Sequence, residues 1–203
     1  ITEEELTNWR KAVTEFKNLV SALCVSFART IRNLEQKATN LRRDEDSMHK
    51  GVKPYDSALS NIKRELETEL YKKYNKNIEV NIFADLIDID DKSWSNAIEA
   101  IMYNQKFNLF VEPKYYFDAY KILRNLLEKY RYFGTALVDQ EKIIERNVQA
   151  EVGSLAEEVL SGHKGANAYT NYLIGRVKKC ANVEQARESG NGVTKECDLY
   201  RNF

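Results

Sequence analysis

The sequence has few of the residues that break or cross-link a chain. Only 2 of its 203 residues are proline and 8 are glycine, which excludes a collagen-like or low-complexity chain and favours helices. Its 3 cysteines, Cys24, Cys180 and Cys197, form no CxxC pair, which disfavours a disulfide framework and a zinc site. We expect all three to be small, buried or half-buried thiols.

Long apolar runs are also missing. No stretch approaches the roughly 18 apolar residues of a membrane span, and the first residues lack the basic start of a signal peptide. We therefore expect a cytoplasmic protein without membrane contact. The chain starts at Ile1 rather than Met and opens directly into a helical pattern, so we expect a piece of a longer protein.

The usual signatures of catalysis and cofactor binding are absent. The sequence contains no GxxxxGK[ST], GxGxxG, HExxH or GxSxG motif, so we expect no catalytic residue, no cofactor and no resident metal. The only histidines, His49 and His163, lie in polar segments beside glycines, and we expect both at the surface. Lysine plus arginine and aspartate plus glutamate both number 31, so a charged partner has to be met by a local patch.

Large apolar residues begin to alternate in steps of three and four from Leu6, and only Thr30 and Lys37 interrupt them. The members of this seam are Leu6, Trp9, Val13, Phe16, Val20, Leu23, Phe27, Leu34 and Leu41. A heptad pattern of this length predicts a coiled-coil helix from about Thr2 to Met48 that projects from the rest of the protein. The alternative is a helix in a bundle, because several seam residues are bulky for a two-stranded coil.

The seam is followed by a break and a second helix. Gly51 and Pro54 predict the end of the first helix. The next helix begins near Asp56 or Ser57 and ends near Tyr74. Its predicted buried face carries Leu59, Ile62, Leu66 and Leu70.

The remainder reads as a small mixed α/β body. We expect a β-rich stretch at 78–89, a helix at 93–102 capped by Asp91 or Ser93, a strand at 107–111, a helix at 116–130 that follows Pro113, and a strand at 134–138. A polar stretch at 147–153 predicts a boundary. Beyond it, SLAE at 154–157 has the capping-box pattern, a helix at 166–174 ends at Gly175, Asn182 caps a short helix, and 193–194 with 199–200 form a paired edge.

Two clusters of charged residues are candidates for a function. Asp85, Asp88 and Asp90 follow a strand, and paired carboxylates there suit a metal-dependent nuclease. The competing interpretation is that the acidic run leaves the sheet and caps the helix near Ser93. A basic group, Arg176, Lys178, Lys179 and Arg187, predicts weak sequence-independent DNA contact or a solvated surface.

A resemblance to a known family rests on several short segments. They are ADLIDI at 84–89, WSNAIE at 94–99, QKFNLFV at 105–111, LVD at 137–139, GSLA at 153–156, AYTNYLIGRV at 168–177 and VT at 193–194, with KGVKPY at 50–55 before them. In this order they resemble the hinge domain of structural-maintenance-of-chromosomes (SMC) ATPases, with bacterial SMC-like coiled-coil ATPases nearest. Two places depart from the hinge pattern. The segment NIFA at 81–84 lacks the glycine that is common in hinges before the first acidic strand end, and Cys197 stands where a glycine often follows the Thr-x-x of the last hairpin.

The resemblance implies an α+β fold with a coiled-coil arm at 1–50, a linker and second helix at 51–76, and hinge subdomains at 77–146 and 147–203. It also implies a non-catalytic homodimerisation module whose ATPase heads and return helix lie outside this sequence, acting in chromosome organisation, repair or DNA defence. We expect the dimer contact at strand edges near Ala84, Gly175, Gly190 and Gly192, where small residues allow close approach. A coiled-coil scaffold that binds a protein partner is the remaining alternative.

Overall fold

The computed structural model of the chain describes residues 2–49 and 55–202, and within these the side chains of residue 40 and residues 43–49 are not described. Contacts divide the chain into two units, residues 1–54 and residues 55–203. The expected helix end at Gly51 and Pro54 lies outside the described residues, as does the side chain of His49. None of the described helices is long and apolar enough to cross a membrane.

The described part of the first unit is one helix, α1 (Glu3–His49), as predicted. A reciprocal cap starts it: the Glu5 N–H donates to Thr2 Oγ1 at 3.3 Å, and the Thr2 N–H donates to Glu5 Oε2 at 2.8 Å. Every described side chain of α1 is exposed, including the seam residues Trp9 at 71% and Phe27 at 64%. The seam is therefore unpaired within its own unit, and its pairing with another helix stays a prediction.

The second unit, called the body here, mixes helices with short strands. Its helices are α2 (Ser57–Tyr74), α3 (Ser95–Met102), α4 (Tyr116–Tyr130), α5 (Gln140–Glu145), α6 (Lys164–Ile174) and α7 (Val183–Ser189). Its strands are β1 (Val80–Ile82), β2 (Asp88–Ile89), β3 (Leu109–Val111), β4 (Val159–Leu160), β5 (Lys178–Lys179), β6 (Asn191–Val193) and β7 (Leu199–Arg201). The predicted α+β class is confirmed.

The strands form three small sheets in the described body. β1 pairs antiparallel with β3, and β2 pairs antiparallel with β4. In the third sheet β6 lies between a parallel β5 and an antiparallel β7, so the predicted paired edge is confirmed. The strand expected at 134–138 is only a single β-bridge, between Leu137 and Leu109. This segment makes hydrogen bonds to β3 only at its C-terminal end.

The described part of the body has two hydrophobic cores. In the first, called core one, α2 and α4 pack against one face of β1 and β3. The predicted face of α2 is confirmed, since Leu59, Ile62, Leu66 and Leu70 are all 0–1% exposed. Each fully buried side chain of this kind contributes about 1.5–3 kcal/mol. The bounds of α2 are local in origin: Asp56 Oδ1 accepts the Ala58 N–H at 2.8 Å, and Asn75 ends the helix with a positive φ of 48°.

Core two lies on the other face of β3. It is built from Phe83, Trp94, Ile98 and Met102 before the predicted boundary at 147–153, and from residues such as Leu155 after it. The two hydrophobic clusters therefore do not separate at 147. The division into hinge subdomains at 77–146 and 147–203 stays a prediction.

The sequence pattern SLAE at 154–157 does not form its expected cap. Residues 155–158 make a 3₁₀ turn, Ser154 makes no side-chain cap, and its buried Oγ has no hydrogen-bond partner among the described residues. Glu157 instead accepts the N–H of Gly153 at 3.0 Å and pairs with Lys179 at 3.2 Å. The Ser154 N–H, which a capping box would bond to Glu157, donates instead to the Glu151 carbonyl oxygen at 2.9 Å.

Gly192 in β6 is required by the packing of α7. A Cβ at this position would lie 2.5 Å from Ser189 Oγ, 2.6 Å from Cys180 Sγ and 2.9 Å from the Ala186 Cα. Since one of these atoms belongs to the backbone, the helix would have to move away from the sheet.

We expect Gly192→Ala to lower the free energy of unfolding by about 1–3 kcal/mol, because overpacking strains a well-packed contact. Urea unfolding followed by circular dichroism measures it. The matched control is Gly162→Ala, whose added Cβ would meet nothing within 4 Å and should change stability by less than about 0.5 kcal/mol. Equal effects of the two variants would contradict this account of Gly192.

Two carboxylates join α2 to α4. Glu65 accepts from Lys129 Nζ at 2.7 Å and from the Tyr130 hydroxyl at 2.5 Å. Asp118 accepts from Lys73 Nζ at 2.6 Å and from the Tyr74 hydroxyl. These hydrogen bonds lower the pKa of both carboxyl groups. The largest effect comes from Lys129 at Glu65 and from Lys73 at Asp118.

A lowered folded-state pKa makes a contribution to stability that is present above the unfolded-state pKa and is lost as the pH falls through the folded-state value. When the pH is lowered from 7 to about 3, we expect the free energy of unfolding of the double variant Glu65→Gln with Asp118→Asn to fall less than that of wild type. Urea midpoints at both pH values measure this difference. Glu128→Gln, a change at an exposed glutamate of α4, is the control and should behave as wild type; a double variant as acid-sensitive as wild type would contradict the assignment.

Candidate interaction surfaces

The four small residues expected at a dimer contact lie in different settings. Gly192 is in the middle strand of its sheet and is covered by α7, so no free strand edge exists at that residue. Gly175 is buried at the end of α6, where an added Cβ would lie 2.3 Å from the Asn171 carbonyl oxygen. Packing within the chain thus explains both glycines, and their role in a dimer stays a prediction.

The other two small residues lie next to surface cavities. Gly190 ends α7 with a φ of 73° and lines a cavity of about 440 Å³. Ala84, 9% exposed, lies in a 3₁₀ turn next to Asp85, which lines a cavity of about 390 Å³. These two cavities therefore contain or adjoin the expected contact residues.

The first cavity is named the arginine groove. It is lined by Tyr172, Leu173, Arg176, Gly190, Asn191 and Arg201 among others. Arg146 stacks on the Tyr172 ring, with its guanidinium carbon 5.1 Å from the ring centroid. Asn191 donates to the Arg176 carbonyl at 2.8 Å, while its buried Oδ1 accepts no hydrogen bond from the described residues.

The second cavity is named the aspartate groove. Its lining consists of Asp85, Leu86, Ile87, Asp88, Leu160, Ser161 and Gly162. Asp85 accepts a hydrogen bond from the Tyr55 hydroxyl. Burial, and then the Asp85 carboxylate, raise the pKa of Tyr55, so the phenol stays a hydrogen-bond donor.

The acidic run serves only partly as a cap. Asp91 accepts the Ser93 N–H at 2.9 Å and lies 3.4 Å from Lys195 Nζ, and its pKa is lowered foremost by the hydrogen bond with Ser93. Asp88 and Asp90 are exposed and cap no helix, so the capping interpretation is wrong for them. Among the residues whose side chains the structure describes, no group of three or more His, Cys, Asp or Glu is arranged to hold a metal ion, so the nuclease alternative has no metal site in that part of the chain.

Half of the expected DNA-contact group is already paired within the chain. Lys178 Nζ lies 2.8 Å from Glu151 Oε2. Lys179 pairs with Glu158 and Glu157, and Glu158 foremost raises its pKa. The partners neutralise both lysines, whereas Arg176 and Arg187 are exposed and form no ion pair among the described residues.

The expectation that His163 is simply a surface residue is wrong. It is half-buried, its Nδ1 accepts the Ala166 N–H at 3.1 Å as the N-cap of α6, and its ring stands edge-on to Phe110 at 5.8 Å between centroids. Sequence reasoning missed this because caps are usually Ser, Thr, Asn or Asp. Among the cysteines, Cys180 is buried and Cys197 half-buried as expected, but Cys24 is exposed, contrary to expectation.

Comparison with solved structures yields clear likenesses. The chain is similar to a hinge domain of Geobacillus stearothermophilus SMC, described as an asymmetric dimer, with 16% identity over 83% of this chain and 68% of that chain at a TM-score of 0.53. The chain has the fold of an SMC hinge domain. Two Pyrococcus furiosus SMC hinge structures are also similar, both with a TM-score of 0.48. One, at 20% identity, covers 71% of this chain and 83% of that one; the other has an extended coiled coil and, at 19% identity, covers 96% of this chain and 73% of that one.

No family model and no curated protein matches the sequence. The SMC hinge fold nevertheless accounts for one departure noted in the sequence. Cys197, which stands where hinges often have glycine, adopts a φ of 73°, in the left-handed region that favours glycine. The turn between β6 and β7 therefore has a glycine-type backbone at a cysteine.

Proposed function

We propose that this chain is the dimerisation hinge, with adjoining arm, of an SMC-like ATPase and that it has no catalysis of its own. The observation that carries the proposal is the fold likeness to the Geobacillus stearothermophilus SMC hinge, at a TM-score of 0.53, in a structure described as a dimer. The exposed heptad seam of α1 adds support, since an arm needs a helix to pair with. The ATPase heads, the return helix and a role in chromosome organisation, DNA repair or defence belong to the same proposal.

Physical considerations favour association of this chain. The seam exposes large side chains such as Trp9, Phe16 and Phe27 on one helix, and exposed apolar stripes of this size mark interaction surfaces. The net charge of zero gives no overall repulsion between copies. In the proposed hinge, however, the dimer contact lies in the body, and the seam serves the return helix.

We expect wild type at micromolar concentration to have twice the 23.6 kDa chain mass in light scattering. Phe16→Glu with Leu23→Glu, which charges the seam, should remain dimeric because the contact lies in the body. The control Thr14→Glu with Ser21→Glu places the same charges on α1 outside the seam. A monomeric wild type would refute a dimerisation hinge, and a monomeric seam variant beside a dimeric control would locate the contact in α1 and favour the coiled-coil scaffold.

Weak DNA contact is a second candidate function. It is favoured by the exposure of Arg176 and Arg187 without ion-pair partners among the described residues. An excess of acidic residues elsewhere in the body opposes DNA contact, since residues 77–145 hold 8 basic and 12 acidic side chains. Contact of this kind should ignore sequence and fall steeply with salt.

For DNA, we expect Arg176→Gln with Arg187→Gln to lower the slope of log affinity against log salt by up to about two. Lys178→Gln with Lys179→Gln, whose ammonium groups are paired within the chain, should change the slope less. Fluorescence anisotropy titrations of a labelled duplex at several low salt concentrations measure both. If neither pair of substitutions alters the slope, the group is a solvated surface and these four side chains do not contact DNA.

A further inference from the structure

A further surface cavity, of about 390 Å³, lies beside β1, β3 and the start of α6. Its lining includes buried apolar side chains such as Phe110, which is 1% exposed. Three uncharged polar side chains also line it, those of Asn81, Gln140 and His163, and we name it the amide cavity. An apolar cavity of this size with a few convergent polar groups is the usual form of a small-molecule site.

The three polar side chains converge on the same part of β3. Asn81 is paired directly with Phe110, so the two side chains are on the same face of the sheet. Gln140 donates from Nε2 to the Val111 carbonyl oxygen at 2.6 Å. The His163 ring stands edge-on to Phe110, with 5.8 Å between the ring centroids. Residues from β1, α5 and the start of α6 are therefore brought together around two neighbouring positions of one strand.

Each of these side chains has a hydrogen-bonding atom that no other described residue uses. His163 Nδ1 accepts the Ala166 N–H, so the neutral ring carries its proton on Nε2 and offers a donor there. Gln140 Oε1 accepts no hydrogen bond from the described residues and packs against Gly165, where an added Cβ would lie 2.5 Å from it. The half-buried Asn81 carboxamide has no partner in that part of the chain either. The cavity thus offers one donor, one acceptor and one group that is both.

The charges around the amide cavity cancel. Lys76 and Glu79 are exposed lining residues of opposite sign. Glu112, which also lines the cavity, is paired with Lys114. A charged ligand is therefore not attracted by a net charge. An uncharged ligand can use the buried polar groups, which discriminate strongly because a ligand without matching groups leaves them unpaired.

We propose that the amide cavity binds an uncharged planar molecule of the nucleobase or nucleoside class, whose edge carries a hydrogen-bond donor beside an acceptor. His163 Nε2 donates to the acceptor of that edge, Gln140 Oε1 accepts from its donor, and the Asn81 carboxamide completes the set. Carboxamide side chains bind base edges in this paired way, and bases pack against aromatic side chains, which Phe110 and Tyr115 supply in the lining. This binding function goes beyond the proposed dimerisation and does not depend on it.

Titration of the full 203-residue chain with adenosine, cytidine, guanosine and uridine tests the proposal. Two-dimensional amide NMR locates the ligand through the signals of Asn81, Val111 and Gly165, and calorimetry measures the affinity. We expect at least one nucleoside to bind with a dissociation constant of roughly 0.1–1 mM, in line with the modest affinity per atom of small ligands. Its monophosphate should bind no tighter. Indole, a planar ring with a donor but no acceptor beside it, should bind about tenfold more weakly or less.

Two variants test the assigned hydrogen bonds. His163→Asn removes the imidazole and keeps a residue that is favourable as an N-cap, and Asn81→Val removes the carboxamide and keeps a side chain suited to a strand. Each should weaken nucleoside binding about three- to tenfold, the effect of one lost hydrogen bond. The control Lys164→Gln changes an exposed residue next to His163 that does not line the cavity, and it should bind like wild type. Circular dichroism checks that the variants are folded.

The other outcomes each contradict the proposal. Absence of binding by all four nucleosides, or NMR shifts confined to residues away from the cavity, refutes the site. Equal affinity for indole refutes recognition by hydrogen bonds. Tighter binding of the monophosphate or of a single-stranded oligonucleotide shows that phosphate is recognised and refutes an uncharged ligand. Folded variants that bind like wild type refute the roles of His163 and Asn81. The dimer measured by light scattering is a separate result, so failure here leaves the proposed function as it stands.

Discussion

The body depends on the burial of both faces of β3. Successive side chains of a strand point to opposite faces, so Leu109 and Val111 fill core one while Phe110 fills core two. Asn108, just before the strand, is itself buried, and its Oδ1 accepts the Ala136 N–H at 2.8 Å. A strand of three residues can divide two cores only because both its side chains and its preceding amide are held in this way.

This arrangement leaves the two grooves at the outside of core two. β4 carries Leu160 to the aspartate groove, and α6 leads to Arg176 in the arginine groove. Short strands and helix ends, rather than a broad sheet, therefore present the charged groups. Side chains attached to a packed core in this way are held in fixed positions.

The same local pattern, Ser or Thr followed three residues later by Glu, has two outcomes in this chain. At Thr2 and Glu5 it makes the reciprocal cap of α1, where the side chains are exposed and have only their own backbone as partner. At Ser154 and Glu157 it does not, because Lys179 and the Gly153 N–H bind the carboxylate. A capping pattern therefore predicts a cap reliably only where no tertiary partner competes for the same oxygen atoms.

The sequence by itself determined α1, α2 and α4 and the buried face of α2, because helix periodicity and caps such as Asp56 depend on neighbours within one turn. It also indicated the hinge fold through short segments in a fixed order. Only the tertiary structure decided that Lys178 and Lys179 are paired and that Gly192 is a packing requirement. Each of these depends on a group distant along the chain or across a sheet, and a one-dimensional pattern contains no record of which distant groups meet.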